Sequence, residues 1–511
     1  MPSVEPRMSD PTRPGRRVEL GLGALVVLAG VVLRFVTDSP LWLDEALSVT
    51  IAQLPAGDIP EALRHDGHPP LYYLLLHGWM ELFGSGDVAV RSLSGILGVA
   101  LLPLMWVAGR RRGGVVAGGA ALVLAAATPY LVRYSTEARM YALLALLVLG
   151  AWLVADDLRG GPDRGRWALL AVLTGGALLT HYWAIYLGVA AVGLLAWRWW
   201  RADARREALR IGSALAAGTV FFLPWLPSFL YQASHTGTPW GTATRPTRAV
   251  TELANGLGGQ LGLPEAMLFG FFVLGLAALG LVLASASGTE LTLDLRTVPV
   301  VRPEIGLVLL TILVGLGVGA ITNATFVARY AAGFVPMLLV AAGVAVAGLP
   351  GVAAPRVAML VALVLAGPGL VYNVIDERTQ GARIASAITA QGDPDDLVVF
   401  CPDQLGPSTL RALPASFEAV GVPALTRPER IDWVDYAARN QAAQPEAMAT
   451  EVLERAGDHT IWLVYAATYR TYEGLCEGVL SSLSTARPDN EIVVPMDSDV
   501  FESATLVRLE P

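Results

Sequence analysis

The sequence contains no lysine, and charged residues of both signs make up only 16% of its 511 residues. A typical soluble domain carries about 25% charged residues. Hydrophobic residues instead make up 54% of the chain, and the mean hydropathy is +0.52. This shortage of charge excludes an ordinary soluble protein. A basic stripe with interleaved aromatic residues is also lacking, which argues against a nucleic-acid partner.

Cysteine is scarce as well, since Cys401 and Cys476 are the only two in the chain. Two interpretations stay open. The residues are either two separate buried thiols or the two halves of one disulfide, and a disulfide would require this region to lie outside the cytoplasm.

Apolar runs of about 20 residues, the length needed to cross a bilayer, recur through the first three-quarters of the chain. Eleven spans are predicted, at residues 18–36, 87–108, 114–132, 138–156, 166–180, 182–199, 208–229, 264–285, 304–322, 330–348 and 356–374. The polar segment 1–17 is predicted to be a disordered cytoplasmic tail. Residues 18–374 would form the transmembrane domain, with a first outer loop at 37–86.

Arginine in short loops predicts the orientation of a membrane protein, because such loops stay on the cytoplasmic side. Arginine clusters precede the first predicted span and follow the second, fourth and sixth, at Arg13, Arg16, Arg17, Arg110, Arg111, Arg112, Arg159, Arg164, Arg166, Arg198, Arg201, Arg205 and Arg206. All of these clusters lie on the cytoplasmic side of the membrane if the N-terminus is cytoplasmic. With eleven spans in a cell membrane, the C-terminus is then extracytoplasmic.

The stretch from His68 to Gly84 is apolar, but we do not count it as a span. It contains His77 and Glu81, and counting it would move the cluster 110–112 to the outside. We predict an interfacial helix that lies on the outer leaflet, with its aromatic face toward lipid.

The composition from residue 375 to residue 511 is that of a soluble domain. The short apolar runs 397–400 and 461–464 are typical of buried strands, and helical stretches lie near 378–391, 444–456 and 470–484. This alternation predicts a small extracytoplasmic α/β domain.

Asp44 and Glu45 are adjacent carboxylates just after the first predicted span. Ionisable groups near the hydrocarbon are costly, so they favour a functional interpretation. A carboxylate there could take the proton from an attacking hydroxyl group. Alternatively, Asp44 could simply cap a helix.

The segment from His65 to His68 places two histidines on either side of Asp66. These side chains could bind a divalent metal together with Asp44 or Glu45. The alternative is a polar turn before an interfacial helix, and this is the interpretation that we favour. No cofactor is therefore assigned, and metal dependence stays open.

Two arginines begin predicted spans at the outer side. Arg139 could hold a phosphate with two hydrogen bonds, and Arg329, followed by Tyr330, could complete a phosphate clamp. Both could instead be arginines that reach from a span end to the interface. Glu137 could pair with Arg139 or position an acceptor, and His181, in a short outer connection, could donate to a phosphate oxygen.

All of these clusters lie on the outer face under the predicted orientation. Nucleotide sugars are not available there, whereas a sugar on a polyprenyl phosphate, held in the membrane lipid, is. A lipid phosphate as leaving group would explain arginines at the interface.

The motifs occur in a specific order along the chain. The Asp-Glu pair is followed by His-Pro-Pro-Leu-Tyr-Tyr at 68–73, by Tyr-Ser-x-Glu-Ala-Arg-x-Tyr at 134–141, and by Arg-Tyr at 329–330. Over residues 18–345 this order resembles the GT-C superfamily of membrane glycosyltransferases, specifically the protein mannosyltransferase and aminoarabinose transferase-like group. A GT-C-like helical membrane domain is the fold that the resemblance implies.

The resemblance also implies roles for individual residues. Asp44 would be the catalytic base, and Glu45 would position the acceptor or a metal. Arg139 and Arg329 would bind the donor phosphate. Residues His68 and Tyr141 would line the site, although related enzymes often carry Lys where this chain has His68.

We therefore predict a glycosyltransferase that moves a sugar from a polyprenyl-phosphate donor to a glycan, lipoglycan or protein acceptor of the cell envelope. Mannose is the first candidate for the sugar, and a pentose is the second. One alternative is a transporter or flippase for polyprenyl lipids or glycans, which predicts broken or charged helices at mid-membrane. Another is a non-catalytic envelope assembly protein.

Overall fold

The computed structural model describes residues 14–200, 204–237, 241–260, 264–287, 290–297, 300–467 and 469–511. Residues 1–13 of the predicted tail lie outside the described residues. The last four residues of that predicted tail already belong to the first helix, which begins at Pro14.

The chain up to residue 375 is almost entirely helical. Its helices are α1 (Pro14–Leu33), α2 (Leu43–Ala52), α3 (Ile59–Asp66), α4 (Leu71–Phe83), α5 (Asp87–Ala127), α6 (Pro129–Arg133), α7 (Tyr141–Arg159), α8 (Arg164–Leu178), α9 (Trp183–Trp199), α10 (Arg205–Val220), α11 (Leu226–His235), α12 (Pro246–Leu257), α13 (Pro264–Val282), α14 (Arg302–Thr322), α15 (Val335–Gly348) and α16 (Ala353–Ile375). A two-stranded antiparallel hairpin, β1 (Leu283–Ser287) with β2 (Glu290–Leu293), links α13 and α14.

Every predicted span coincides with helical segments of the structure. Helix α5 contains two of them, because Gly113 and Gly114 break it, and Gly114 has the left-handed φ of 75° that glycine adopts freely. Among the described residues, five helices are long and apolar enough to cross a membrane, or six if the bent pair α10 and α11 forms one span. The helical membrane fold is therefore confirmed, while the number of eleven spans stays a prediction.

Helix α4 forms most of the stretch that we excluded from the spans. Its 13 residues extend about 20 Å, which is too short for a hydrocarbon layer of about 30 Å. The helix packs against α2 and α5. Its position on the outer leaflet remains a prediction.

The arginine clusters of the short loops meet at one end of the helices. Arg112 contacts Asp156 at 3.0 Å, and Arg159 contacts Glu207 at 3.2 Å. Helix α7 has 19 residues, begins at Tyr141 and ends at Arg159 among these pairs. The cluster and the outer loops thus lie at opposite ends of α7, as the orientation argument requires. Which end faces the cytoplasm remains a prediction.

The chain after residue 375 forms the predicted α/β domain around one sheet. Its strands are β3 (Leu397–Cys401), β4 (Glu418–Gly421), β5 (Ile461–Tyr465), β6 (Asn490–Val494) and β7 (Thr505–Leu509). Its helices are α17 (Gly381–Gln391), α18 (Gly406–Ala412), α19 (Tyr436–Ala442), α20 (Pro445–Ala456) and α21 (Leu475–Ala486). The strand order is β4-β3-β5-β7-β6, with β3 parallel to β4 and β5, and β7 antiparallel to β5 and β6.

The two cysteines form a disulfide between the end of β3 and α21. The Cα atoms of Cys401 and Cys476 are 5.4 Å apart, and both residues are fully buried. The bond joins residues 75 positions apart along the chain. Of the two interpretations that the sequence left open, the structure has the disulfide.

We expect the double substitution Cys401→Ala and Cys476→Ala to destabilise the C-terminal domain by about 4 kcal/mol, because a cross-link over a loop of this length restricts the unfolded chain. Thermal unfolding of the purified protein, with and without reductant, measures the change. In cells, peptide mapping without reduction should find the linked peptides only if the domain is extracytoplasmic. Free thiols at both positions in protein isolated with thiol-blocking reagents would contradict that location.

Candidate active site

Helix α2 points its two acidic side chains in different directions. Neighbouring residues on an α-helix are about 100° apart around its axis. As a result, the side chain of Asp44 keeps 17% of its surface exposed, whereas that of Glu45 is completely buried. Only Asp44 can meet a substrate directly.

Asp44 lies beside both arginines that the sequence singled out. Its Oδ2 atom accepts a hydrogen bond from Nη1 of Arg329 at 3.0 Å and lies 3.8 Å from Nη2 of Arg139. The side chain of Arg329 is 23% exposed, whereas that of Arg139 is 3% exposed. The fold thus joins three residues from three separate segments, and it leaves Asp44 and Arg329 on the accessible side.

Arg139 is held firmly by the first outer loop. Its Nη1 atom lies within hydrogen-bond distance of the carbonyl oxygen of Asp44 (3.2 Å), the hydroxyl of Ser48 (3.0 Å) and the hydroxyl of Tyr73 (3.2 Å). These contacts fix the guanidinium group between α2 and α4. The sequence analysis singled out Arg139 and included Tyr73 in a motif without giving it a role, and it missed Ser48, since nothing in the local pattern distinguishes Ser48 from other helix residues.

His68 links Arg139 to Asp66. Nη2 of Arg139 lies 3.1 Å from Nε2 of His68, and Nδ1 of His68 lies 2.8 Å from the Asp66 carboxylate. Because a guanidinium group only donates hydrogen bonds, Nε2 of His68 accepts and its Nδ1 donates to Asp66. Tyr73 donates a second hydrogen bond to the same carboxylate at 3.1 Å.

An aromatic wall stands beside this cluster. The ring of His181 lies 5.9 Å from that of Tyr141, 5.5 Å from that of Tyr330 and 6.4 Å from that of His68. Burial, followed by the nearby cations, lowers the pKa of His181 well below its ordinary value. His181 is therefore neutral at pH 7, and its Nδ1 accepts a hydrogen bond from the backbone N–H of Trp183.

Glu45 contributes to the interior of the protein. Arg91 donates to both of its carboxylate oxygens, at 2.7 and 2.6 Å, and the backbone N–H of Ala138 donates at 2.9 Å. Burial alone would raise the pKa of Glu45, but Arg91 and Arg378 outweigh burial and the pKa is lowered. The implied role of Glu45 as a partner for the acceptor or a metal does not fit these contacts, because both oxygens face protein groups.

Glu137 lies beneath the site and not in its lining. Its carboxylate accepts a hydrogen bond from Arg133 at 2.9 Å and lies 3.7 Å from Arg378. The side-chain partner of Glu137 is therefore Arg133, and not Arg139, which was one of the two alternatives that the sequence left open. Arg378, which contacts both Glu137 and Glu45, was missed by the sequence analysis because it lies about 240 positions further along the chain.

Within the described residues, no three His, Cys, Asp or Glu side chains come together in a way that could hold a metal ion. His68 and Asp66 meet, but Asp44 is paired with Arg329 and Glu45 with Arg91.

A model of the family described as dolichyl-phosphate-mannose-protein mannosyltransferase matches residues 67–227. The matched segment contains His68, Arg139 and His181 and ends before Arg329; Asp44 precedes it. No curated protein matches the chain at a significant level.

Solved structures resemble the chain over nearly its whole length. ArnT from Cupriavidus metallidurans bound to undecaprenyl phosphate is 15% identical, with a TM-score of 0.60 over 96% of this chain and 98% of that one. The apo form of the same protein is 16% identical, with a TM-score of 0.61 and the same coverage. The Archaeoglobus fulgidus oligosaccharyltransferase tethered to an acceptor peptide is 12% identical, with a TM-score of 0.50 over 91% of this chain and 72% of that one.

The chain has the GT-C fold. The resemblance to the GT-C membrane glycosyltransferases that the sequence motifs indicated is thus confirmed, as is the combination of a helical membrane part with a small sheet domain after it. At such low identities the GT-C likeness describes the fold and assigns no role to any residue.

We expect Arg91→Leu to destabilise the protein by roughly 3–5 kcal/mol, because it leaves the Glu45 carboxylate buried without its partner. Asp44→Asn, at the neighbouring position, should leave the unfolding temperature close to that of the wild type, since Asp44 is partly exposed. Thermal unfolding in detergent compares the two variants. Equal unfolding temperatures for Arg91→Leu and wild type would show that the buried Glu45 carboxylate does not need Arg91 as its partner.

Proposed function

We propose that the chain is a glycosyltransferase that moves a sugar from a polyprenyl-phosphate donor to an acceptor hydroxyl at the outer face of the membrane. The observation that carries the proposal is the contact between a partly exposed carboxylate, Asp44, and a partly exposed guanidinium group, Arg329. The GT-C fold supports it, and the ArnT structure with the same fold contains undecaprenyl phosphate.

The charges of this pair suit the proposed reaction. As the acceptor hydroxyl attacks the anomeric carbon, its proton passes to Asp44, and the bond between the anomeric carbon and the phosphate oxygen breaks. Asp44 loses one negative charge while the departing lipid phosphate gains one. Arg329 can thus exchange one anionic partner for the other, and the charge around it stays balanced throughout the step.

The remaining residues position these two groups. Arg139 holds the backbone of α2 at Asp44 and supplies a second cation beside the leaving phosphate. The pair of Glu45 with Arg91 fixes the opposite side of α2. Tyr330 and His68 line the approach to Asp44 with Tyr141 and the neutral His181 behind them, a wall against which a sugar ring could pack.

The donor sugar and the acceptor complete the proposal. Mannose is the first candidate, because the matching family model describes mannosyltransferases, and a pentose is the second. A glycan, lipoglycan or protein of the cell envelope would be the acceptor. We place the site and the C-terminal domain, residues 375–511, outside the cytoplasm, with the N-terminus inside.

Asp44→Asn should reduce the rate of sugar transfer by on the order of 10²–10⁴-fold, the usual contribution of a general base. The assay uses protein in lipid nanodiscs, labelled polyprenyl-phosphate mannose and membrane extract, followed by pentose donors. Asp38→Asn, an exposed carboxylate in the same loop, is the matched control and should retain full activity. Wild-type transfer that survives in Asp44→Asn would remove Asp44 from the role of base.

Arg329→Ala should weaken binding of polyprenyl phosphate about tenfold to a hundredfold, because it removes charge-assisted hydrogen bonds worth roughly 1.5–3 kcal/mol. Binding to the purified protein is measured directly, without any acceptor. Arg245→Ala, an exposed arginine outside the cluster, should bind like the wild type. Unchanged affinity in Arg329→Ala would exclude Arg329 from the phosphate site.

A transporter or flippase is the second candidate function. The acidic and basic groups of the candidate site gather at helix ends and outer loops, whereas a transporter would be expected to carry them at mid-membrane. We would therefore return to this candidate only if the wild type showed neither transfer nor donor binding. A non-catalytic assembly role would instead leave donor binding intact without any transfer.

A further inference from the structure

The C-terminal domain shares its hydrophobic core with the helix that carries Asp44. Trp42, Leu43 and Leu47 belong to one buried cluster with residues of β3, β5, β7 and α21. The ring of Trp42 also packs edge-on against that of Phe501, with 5.4 Å between the ring centroids. The start of α2 therefore packs against the C-terminal domain, although the helix belongs to the membrane domain.

Glu502 occupies the centre of this interface and is 3% exposed. One carboxylate oxygen accepts a hydrogen bond from the backbone N–H of Leu43 at 3.0 Å, and the other accepts one from the hydroxyl of Ser408 at 2.7 Å. Its backbone N–H donates to the carbonyl of Arg378, and its carbonyl accepts from the N–H of Gln380. Both the main chain and the side chain of Glu502 are therefore fixed.

The contact of Glu502 with Leu43 provides a hydrogen-bond acceptor for the first turn of α2. The first N–H groups of a helix have no partner within the helix, and a carboxylate near them is favoured by the helix dipole. The residue before α2, Trp42, has no side-chain acceptor for these groups. Glu502, 459 positions further along the chain, supplies the acceptor that a local capping residue supplies in other helices.

Two titratable groups face Glu502. The pKa of the Glu502 carboxyl group is raised to about 7, mainly by burial and also by the negative charge of Asp44, whereas its hydrogen bonds with Ser408, Leu43 and Thr379 act in the opposite direction. Tyr469 is the other titratable group nearby. The guanidinium group of Arg378 contacts Glu45 and Glu137 instead.

We propose that Glu502 is a positioning residue of the transfer reaction, which fixes the first turn of α2 through Leu43 and thereby directs the carboxylate of Asp44 toward the acceptor. This inference rests on the proposed function. It makes the C-terminal domain a necessary part of the catalytic unit and not only a cover over it. Because Glu502 contacts neither Arg139 nor Arg329 directly, we expect donor binding to change much less than turnover when Glu502 is replaced.

The test separates turnover from donor binding. Glu502→Ala should lower kcat by on the order of 10-fold to 100-fold, the effect of misplacing a reacting group by about 1 Å. Its Kd for polyprenyl phosphate and its KM for the donor should stay within about twofold of wild type, because the arginines are untouched. Glu502→Gln keeps an oxygen for the N–H of Leu43 and should restore most of the lost kcat.

Two further variants keep the test decisive. Asp396→Asn alters another buried carboxylate of the same domain, which accepts from Trp462 and does not contact α2, and it should retain kcat. If Glu502→Ala does not fold, Glu502→Asp replaces it, since the shorter side chain withdraws the carboxylate from Leu43 but preserves its charge. The same fall in kcat is then expected.

The outcomes distinguish the two proposals. Transfer by wild type, its loss in Asp44→Asn and unchanged kcat in both Glu502→Ala and Glu502→Asp would overturn the role of Glu502 alone. An equal loss of kcat in Asp396→Asn would overturn it too, because the effect would then be general to the domain. No transfer by wild type with any donor would overturn the proposed function and, with it, this inference.

Discussion

The buried ion pair between Glu45 and Arg91 joins the segments on which the candidate site stands. Glu45 belongs to α2 and Arg91 to α5, and the same carboxylate accepts from the N–H of Ala138, one residue before Arg139. Arg91 in turn donates to the carbonyls of Ser39 and Pro40 in the first outer loop. A buried pair of this kind adds little net stability, but removing one partner is costly. The pair therefore favours an arrangement of these segments in which both partners stay satisfied.

Charge neutrality is the second constraint, because the cluster is largely shielded from water. The charged groups form two neighbouring sets of contacts, each with as many carboxylates as guanidinium groups. One contains Asp44, Asp66, Arg139 and Arg329, and the other contains Glu45, Glu137, Asp376, Arg91, Arg133 and Arg378. Burial, helped by the neighbouring Arg133, lowers the pKa of Arg378 to about 9, which still leaves it charged at neutral pH. Because the set around Asp44 is already neutral, the further negative charge that develops on the departing phosphate is best balanced if an existing negative charge is neutralised. Protonation of Asp44 during transfer would do that.

Much of the fold was predictable from sequence, because apolar runs and arginine-rich loops reflect the bilayer directly. The positions of all eleven apolar segments agree with helices, and the strands at Leu397–Cys401 and Ile461–Tyr465 follow the predicted runs. The pairing of acidic side chains was not predictable. Asp44 and Glu45 are neighbours in sequence, and only the direction of α2 in three dimensions shows that one faces the opening and the other the core. The environment of Glu137 was missed too, because Arg133, four positions before it, donates to its carboxylate and Arg378 approaches it from far along the chain.

The part that the C-terminal domain plays at the candidate site was not predictable from the sequence either. Besides the ion pairs of Arg378 with Glu45 and Glu137, this domain meets α2 through a hydrogen bond from the N–H of Leu43 to Glu502 and through the apolar packing of Trp42 and Leu47. Neither the hydrogen bond nor the packing requires a particular sequence motif, because many side chains can accept from a backbone N–H group and many apolar side chains can pack against one another. In the proposed reaction the motifs on the outer loops would supply the acid–base and phosphate chemistry, whereas this domain would help to fix the direction of α2. A helix of only 10 residues is only marginally stable on its own. Its direction therefore depends on its packing against both the membrane domain and the C-terminal domain.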